Sequence, residues 1–473
     1  MRFDEHFLKV TLSEFSIINK KFPKDAHFSV DSRTIEKGNI FIALQGNNFD
    51  GHMAIEDALK KGSSGIFLED KKKKVLDKID AKLLQNKLIV SVPNTLEALI
   101  KLATAWRSQF DFPVVAITGS IGKTTTKEMV SNILEINGTK HIASYKNQNT
   151  KIGLSLNILK MRSDHKAAIF ELGISKRNDM SQLADILKPT TALITCIGHS
   201  HMEGLGSLTD IASEKRQVFK YFNEDSIGIV NGDQPILANV AYDHPVIKFG
   251  SKTTNQIQAR KIHIGNGQIS FILKMYKNKY RVVINNTHSG GVFNALAAAT
   301  IAHLLSVPNE VIVKGIQIPI VVSSRFEKLN IKENKGILIS DCYNASPESM
   351  KASLFALEQI DTNAKKIAIL GDMLELGVNS PFWHRQLGRV LRKAPSVKHV
   401  ILVGENVTWA KKTMPIGISV EHVQNWKKAI SKLENILVDE SLVLVKGSNS
   451  MNLTNLVDHF TSEKTSKKME SAT

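Results

Sequence analysis

Cysteine is nearly absent: Cys196 and Cys342 are the only two in 473 residues. Two thiols so far apart in the chain form neither a disulfide framework nor a zinc-ligand set. No apolar run reaches the roughly 18 residues of a membrane-spanning helix, so no membrane insertion is expected. The segment Met1 to Leu12 carries charges throughout and lacks the apolar core of a signal peptide, so a cytoplasmic protein is expected. No repeat of fixed short period occurs. Acidic residues are in the minority, 45 Asp and Glu against 62 Lys and Arg, for a formal charge of +17. Such an excess fits nucleic-acid binding, a site for polyanionic small molecules, or simply solvated lysines. The densest run, Lys71 to Lys74, has no interleaved aromatics and reads as a solvated face or loop, so no specific nucleic-acid partner is expected. A field of this sign still draws in nucleotide substrates.

What is present is ordinary globular composition, 42% apolar and 23% charged, over a length that suits three domains. The expected fold is α/β: a small α/β domain over 1–110, a central parallel-sheet domain over 111–322, and a Rossmann-like domain over 323–473. The tail from Thr461 is expected to be disordered. In the first part, Asn39 to Leu44, Gly65 to Leu68 and Leu88 to Val92 read as strands. Ala54 to Lys61 and Thr95 to Phe110 read as helices, and Asp111-Phe112-Pro113 as a break. Strands and helices then alternate, which argues a parallel sheet: strands at Val114 to Thr118, Ala167 to Phe170, Thr191 to Ile197 and Ile227 to Val230, and a helix at Thr124 to Ile136. Hairpin-like alternation spans Gln256 to Asn285, and a small-residue helix Asn294 to Leu305. A second βα series begins near Ser323, with strands at Ile337 to Ser340, Lys366 to Leu370, Val400 to Val403 and Leu442 to Val445, and a helix at Pro381 to Leu391.

The strongest local signal is Thr118-Gly119-Ser120-Ile121-Gly122-Lys123-Thr124-Thr125, placed between a strand and a helix. Glycines there let backbone N–H groups turn toward phosphate oxygens, and the helix N-terminus adds partial positive charge. Lys123 reaches terminal phosphates, and the Thr124 hydroxyl suits Mg²⁺. Glu171 ends the next parallel strand, where either a metal ligand or a helix cap belongs. His199 and His201 lie two apart in a loop with no third zinc ligand nearby.

With only Ser120 and Ile121 between Gly119 and Gly122-Lys123, the loop is shorter than the general phosphate loop and resembles that of the Mur ligases and the folylpolyglutamate synthases. Glu171-Leu172-Gly173 and His201-Met202-Glu203-Gly204 are similar to elements that hold two Mg²⁺ ions in Mur ligases. Lys215 falls where the family often carries a carbamylated lysine; it otherwise reads as a solvent-exposed helix residue. Asp31-Ser32-Arg33, Gly38 to Gly46 and Asp50-Gly51-His52 resemble the uridine-nucleotide-binding domain of late Mur ligases. Asp341 to Met350, Leu370 to Gly377, His384 and Lys446-Gly447-Ser448 resemble the members that add D-alanyl-D-alanine. The resemblance covers about Ser29 to Phe460.

That resemblance implies an ATP-dependent, ADP-forming amide ligase that joins D-alanyl-D-alanine to UDP-N-acetylmuramoyl-tripeptide through an acyl phosphate, as a monomer in the bacterial cytoplasm. It implies Lys123, Glu171, His201 and Lys215 as catalytic, with Thr124, Glu171 and His201 as Mg²⁺ ligands. ATP contacts are expected from Thr118, Gly119, Ser120, Gly122, Lys123, Thr124, Thr125, Asn294, Arg325 and Asp341. The other substrates fall to Ser32, Arg33, Asp50, Gly51, His52, Asn149, Asn344 and His384. Several positions depart from the family pattern: Gly290-Gly291 replaces a His-Asn pair expected to touch adenine, Asn147-Gln148-Asn149-Thr150-Lys151 stands where Asn-Phe-Asn-Asn-Glu is more usual, Ser346 replaces an asparagine, and Asn449 replaces an arginine. The competing expectations are another Mur-type ligase, a folylpolyglutamate-type ligase, the latter argued against by the Ser29 to Val92 segment, and a non-catalytic nucleotide-binding protein.

Overall fold

The computed structural model describes residues 2–265, 267–285 and 288–461. They form three α/β units, each with its own sheet. The first contains β1 (Ser16–Lys20), β2 (Phe28–Ser29), β3 (Ile40–Ile42), β4 (Gly65–Glu69) and β5 (Leu88–Val92), in the order β1-β5-β4-β3-β2. Strands β2 to β5 are parallel and β1 runs antiparallel against β5. Every residue of β4 and β5 is buried, as in parallel strands covered on both faces. The Thr95–Arg107 helix, capped by Asn94, covers one face, and the Ile55–Lys60 helix the other.

The second sheet has the order β14-β13-β12-β11-β10-β9-β6-β8-β7. Its strands are β6 (Val114–Thr118), β7 (His141–Ala143), β8 (Ala167–Glu171), β9 (Thr191–Ile194), β10 (Ile227–Asn231), β11 (Val246–Gly250), β12 (Ile257–Gly265), β13 (Gln268–Met275) and β14 (Asn278–Ile284). It is parallel from β7 to β12, and then two antiparallel pairings complete it. Strand β6 lies between β8 and β9, so the chain leaves it in opposite directions and opens a crevice at its carboxyl end. The third sheet, β15-β16-β20-β17-β18-β19, comprises β15 (Glu327–Asn330), β16 (Gly336–Asp341), β17 (Lys366–Gly371), β18 (Val397–Val403), β19 (Ser419–Val423) and β20 (Ser441–Lys446). Only β15 is antiparallel to its neighbour.

The structure extends some expectations and corrects others. The N-terminal residues are built into the first unit: Phe3, Phe7, Leu8 and Leu12, on and beside the Glu5–Thr11 helix, are buried, and Phe7 meets Trp106 edge-on. Lys71 to Lys74 lie in a helical turn segment, Asp70–Lys78, and three of the four are paired, Lys71 with Glu69, Lys72 with Asp50 and Lys73 with Asp70. Strand β9 stops at Ile194 because the next residues spend their polar groups on the phosphate loop. Thr195 Oγ1 donates to the Ile121 carbonyl at 2.6 Å, and Cys196 O accepts from Ser120 N at 2.9 Å. The small-residue helix starts earlier than expected and spans Gly290–Leu304. Thr461 bridges to Ile331, while 462–473 of the expected disordered tail lie outside the described residues.

One apolar cluster runs from the first unit into the second, from Leu99 and Leu102 to Leu154 and Phe170. The second and third units meet through paired side chains described below. No helix among the described residues is long and apolar enough to cross a membrane.

Candidate active site

The phosphate loop leaves β6 at Thr118 and enters the Lys123–Ile136 helix. Two glycines are required by geometry. Gly119 has φ +142, and a Cβ there would lie 1.8 Å from Thr195 Oγ1; Gly122 has φ +91, and a Cβ there would lie 2.4 Å from Asn294 Oδ1. Lys123 folds back so that Nζ donates to the Gly119 carbonyl at 3.0 Å. Desolvation in the cleft holds its ammonium below the usual lysine range, opposed by Glu171 and aided by Arg325. The Thr118 hydroxyl is buried without a hydrogen-bond partner among the described residues.

Beside the loop, Thr124 Oγ1 donates to Glu171 Oε2 at 2.7 Å, and Asn149 Nδ2 donates to Glu171 Oε1 at 2.9 Å. Asn149, expected to touch substrate, is thus tied to the candidate metal carboxylate. The pair of hard oxygen donors fits Mg²⁺, which keeps waters and phosphate oxygens in its remaining positions. No group of three His, Cys, Asp or Glu gathers among the described residues. His201 Nδ1 pairs with Glu375 of the third unit, so the structure joins two of the three expected metal ligands and turns the third to an inter-unit contact. Lys215 is not the exposed helix residue that its sequence neighbourhood allowed. Its side chain is 3% exposed, and burial, followed by the charge of Lys123, brings its ammonium down to about 7.

The third unit closes the cleft. A cavity of about 140 Å³ is lined by Ser120, Gly122, Thr125 and Asn294 on one side and by Arg325, Asp341, Asn344 and Lys446 on the other. Arg325 lies 4.0 Å over the Tyr343 ring, in a turn whose flanking residues Ser324 and Phe326 have φ +57 and +55. Asp341 ends β16 opposite Lys446 at the end of β20, and the two pair at 2.8 Å. Asp341 also accepts from Phe326 N and Ser353 Oγ. Burial works against the Asp341 charge, but Lys446 holds its carboxyl below the usual range.

The remaining expected residues divide. Ser32, Arg33, Asp50 and Gly51 follow the carboxyl ends of the adjacent parallel strands β2 and β3, the edge of such a sheet where ligands bind. Arg33 is exposed and pairs with Asp31. Asp50 is held at about 2, burial being outweighed by Lys72 and His52. His52 and His384 need correction as direct substrate contacts. Both are fully buried with both ring nitrogens engaged. His52 joins Asp50 to the Glu69 amide; His384 Nε2 accepts from Met373 N, and its Nδ1 meets the Ser380 carbonyl. They shape loops instead. His288, Tyr343 and Lys446 line the pocket although the sequence did not single them out for it. His288 stands beside Gly290-Gly291, the site of the missing His-Asn pair, and its Nδ1 accepts from Gly290 N at 3.2 Å. Ser346 caps the Pro347–Glu358 helix, which accounts for serine there.

A phosphate loop at a sheet switch point, a carboxylate beside it and an arginine reaching over from another α/β unit define a three-domain enzyme that works on a nucleoside triphosphate. Family comparison gives the group. Residues 26–107 match the Mur ligase family catalytic domain, 117–302 the Mur ligase middle domain, and 324–449 the Mur ligase glutamate ligase domain. The chain is 32% identical to the UDP-N-acetylmuramoyl-tripeptide--D-alanyl-D-alanine ligase of Buchnera aphidicola subsp. Baizongia pistaciae, covering 92% of each, and 31% identical to that of Bacillus subtilis, covering 91% of this chain and 92% of that one. It also superposes on a crystal structure of MurF from Acinetobacter baumannii with TM-score 0.84 at 26% identity, covering 98% of this chain and 99% of that one. The chain belongs to the Mur ligase family.

Proposed function

We propose that this chain catalyses ATP-dependent ligation of D-alanyl-D-alanine to UDP-N-acetylmuramoyl-tripeptide in the bacterial cytoplasm, releasing ADP and phosphate. The observation that carries this reading is similarity to ligases so named over 92% and 91% of the chain, joined to a pocket in which Ser120 and Gly122 of the phosphate loop and Arg325 converge from two units. A carboxylate does not react with an amine in water at neutral pH because oxide is a poor leaving group. Transfer of the γ-phosphoryl group to the tripeptide carboxylate oxygen breaks the bond to ADP and makes an acyl phosphate. The dipeptide amine then attacks the acyl carbon, the amide forms, and inorganic phosphate and a proton leave.

The catalytic demand is charge neutralisation and positioning. Lys123, at the floor, and Arg325, at the roof, would flank the triphosphate. The side chains of Thr124 and Glu171, with His201 released from Glu375, would hold Mg²⁺. Mg²⁺ would neutralise charge on the phosphate oxygens. Ser32, Arg33, Asp50 and Gly51 would hold the uridine end, and Asn344 would face the dipeptide. The decisive assay is phosphate release with UDP-N-acetylmuramoyl-tripeptide, with and without D-alanyl-D-alanine. Release that needs both, with pentapeptide product found by mass, is expected; release indifferent to the dipeptide overturns the assignment.

A further inference from the structure

Between Asp243 and Glu310 the chain carries no carboxylate side chain at all, while Lys248, Lys252, Arg260, Lys261, Lys274, Lys277, Lys279 and Arg281 fall inside it. Strand register shows where they go. Ile257, Ala259, Phe271, Leu273, Val282 and Ile284 point to the core, against the Gly290–Leu304 and Asn309–Gln317 helices. The alternate positions form the opposite face. There Arg260 pairs with Ile272 and Ile272 with Arg281 in one row, and Lys274 stands opposite Lys279 in the next. Arg260, Lys279 and Arg281 are exposed, and Lys274 is half-buried. None of the four makes an ion pair among the described residues.

This arrangement does not serve stability. Lys274 and Lys279 are like charges directly opposite, which destabilises a sheet, and Arg260 and Arg281 flank Ile272 without a carboxylate between them. Cations on an edge strand do protect against edge-to-edge pairing, and that accounts for Lys279 and Arg281 on β14. It leaves Arg260 and Lys274 unexplained, since β12 and β13 are interior strands. The face is also remote from the chemistry. Strand β12 is separated from the phosphate-loop strand β6 by β11, β10 and β9, about 19 Å at the usual strand spacing.

We propose that the outer face of β12, β13 and β14 is a docking surface for an anionic lipid bilayer, with Arg260, Lys274, Lys279 and Arg281 meeting lipid phosphates. The face is a pleated antiparallel surface suited to a planar partner. Its rows place Ile272 between two arginines, and Ile262 beside them is 40% exposed, so apolar side chains are available at the headgroup boundary. Single-stranded nucleic acid is the poorer fit, because it is gripped by stacked aromatic rings. Phe271 and Tyr280 point into the core, and Tyr276 packs on His303. Docking there needs no spanning helix and leaves the cleft open.

Each cation near an anionic bilayer strengthens partitioning by about fivefold, and salt screens the effect. The full-length protein is therefore expected to co-sediment with vesicles of phosphatidylcholine containing phosphatidylglycerol, not with phosphatidylcholine alone, and to be released by salt. The combined variant Arg260→Ser, Lys274→Ser, Lys279→Ser, Arg281→Ser should lose partitioning by about 100-fold or more, with ATP-dependent phosphate release in solution unchanged. A control with the same charge removed elsewhere, Lys411→Ser, Lys412→Ser, Lys427→Ser, Lys428→Ser, should keep binding. Should the fourfold variant fail to fold, Arg260→Gln with Arg281→Gln tests one row with an expected loss of roughly 25-fold. Absence of wild-type binding to the anionic vesicles overturns the proposal. So does equal loss in test and control variants, or retention of poly(U) RNA through the same four residues without vesicle binding.

Discussion

At the scale of single residues, the site separates side chains beside the phosphate loop from those that hold others in place. Lys123 opens the helix after the phosphate loop, and its Nζ donates to the Gly119 carbonyl of that loop. Lys123→Ala should lower kcat by about two to three orders of magnitude, the range for losing one preorganised charge at a reacting centre, with the melting temperature nearly unchanged; near-normal turnover would refute its role. Lys215 makes a chemical prediction. With its pKa at about 7, nearly half of it is neutral amine at neutral pH, and only the neutral amine attacks carbon dioxide. A carbamate carbon resonance is expected after equilibration with ¹³C-bicarbonate, weakening as pH falls below 7 and absent in Lys215→Ala. A wild-type spectrum without that resonance means that the lysine works as an amine.

At the scale of elements, two devices carry the third unit's edge of the cleft. Ser346 caps the helix that follows Asn344, so Ser346→Ala should cost about 1 kcal/mol in unfolding free energy. His384 ties the loop after β17 to the next helix through the Met373 amide. Losing that acceptor leaves a buried N–H unpaired, and His384→Ala should cost about 2 to 4 kcal/mol in denaturant unfolding. Its pH signature has a definite sign. Burial lowers the imidazole from its ordinary 6.5, so the native state favours the neutral ring. The stabilisation is complete above pH 6.5 and is lost as pH falls through the lower native value. His384→Gln should flatten that acid limb; an unchanged limb assigns it to other groups.

At the scale of the whole molecule, the second and third units are held together by two glutamates. Glu348 Oε1 accepts from the His199 amide at 3.0 Å and meets its Nδ1 at 2.5 Å, and Glu375 pairs with His201 while its carbonyl accepts from Glu203 N. These two contacts are polar, of the kind that can exchange when a substrate-gated cleft opens. The double variant Glu348→Gln, Glu375→Gln should open the units, read as a larger radius of gyration by small-angle scattering without substrates and a raised KM for ATP. An unchanged radius would place the closure energy in apolar contacts such as Met202 against the third unit's core.

The sequence by itself determined the α/β class, the phosphate loop and the run of strands, because these depend on local periodicity and on glycines whose backbone conformation nothing else adopts. It also placed Thr124 and Glu171, since a strand end and a helix start have fixed positions in such a sheet. Only the tertiary structure decided what long-range packing controls. Lys215 is buried, although its own helix reads as polar. His52 and His384 are framework residues because each joins a near neighbour, Asp50 or Ser380, to a backbone amide more distant in the chain, Glu69 or Met373. His288 enters the pocket from a segment that carries no motif of its own, and Tyr343 and Lys446 lie in recognised motifs whose meeting at the pocket only the third sheet decides. Each of these outcomes depends on which element lies across the cleft, and that neighbour is set by the order of strands and the closure of units, which no local pattern encodes.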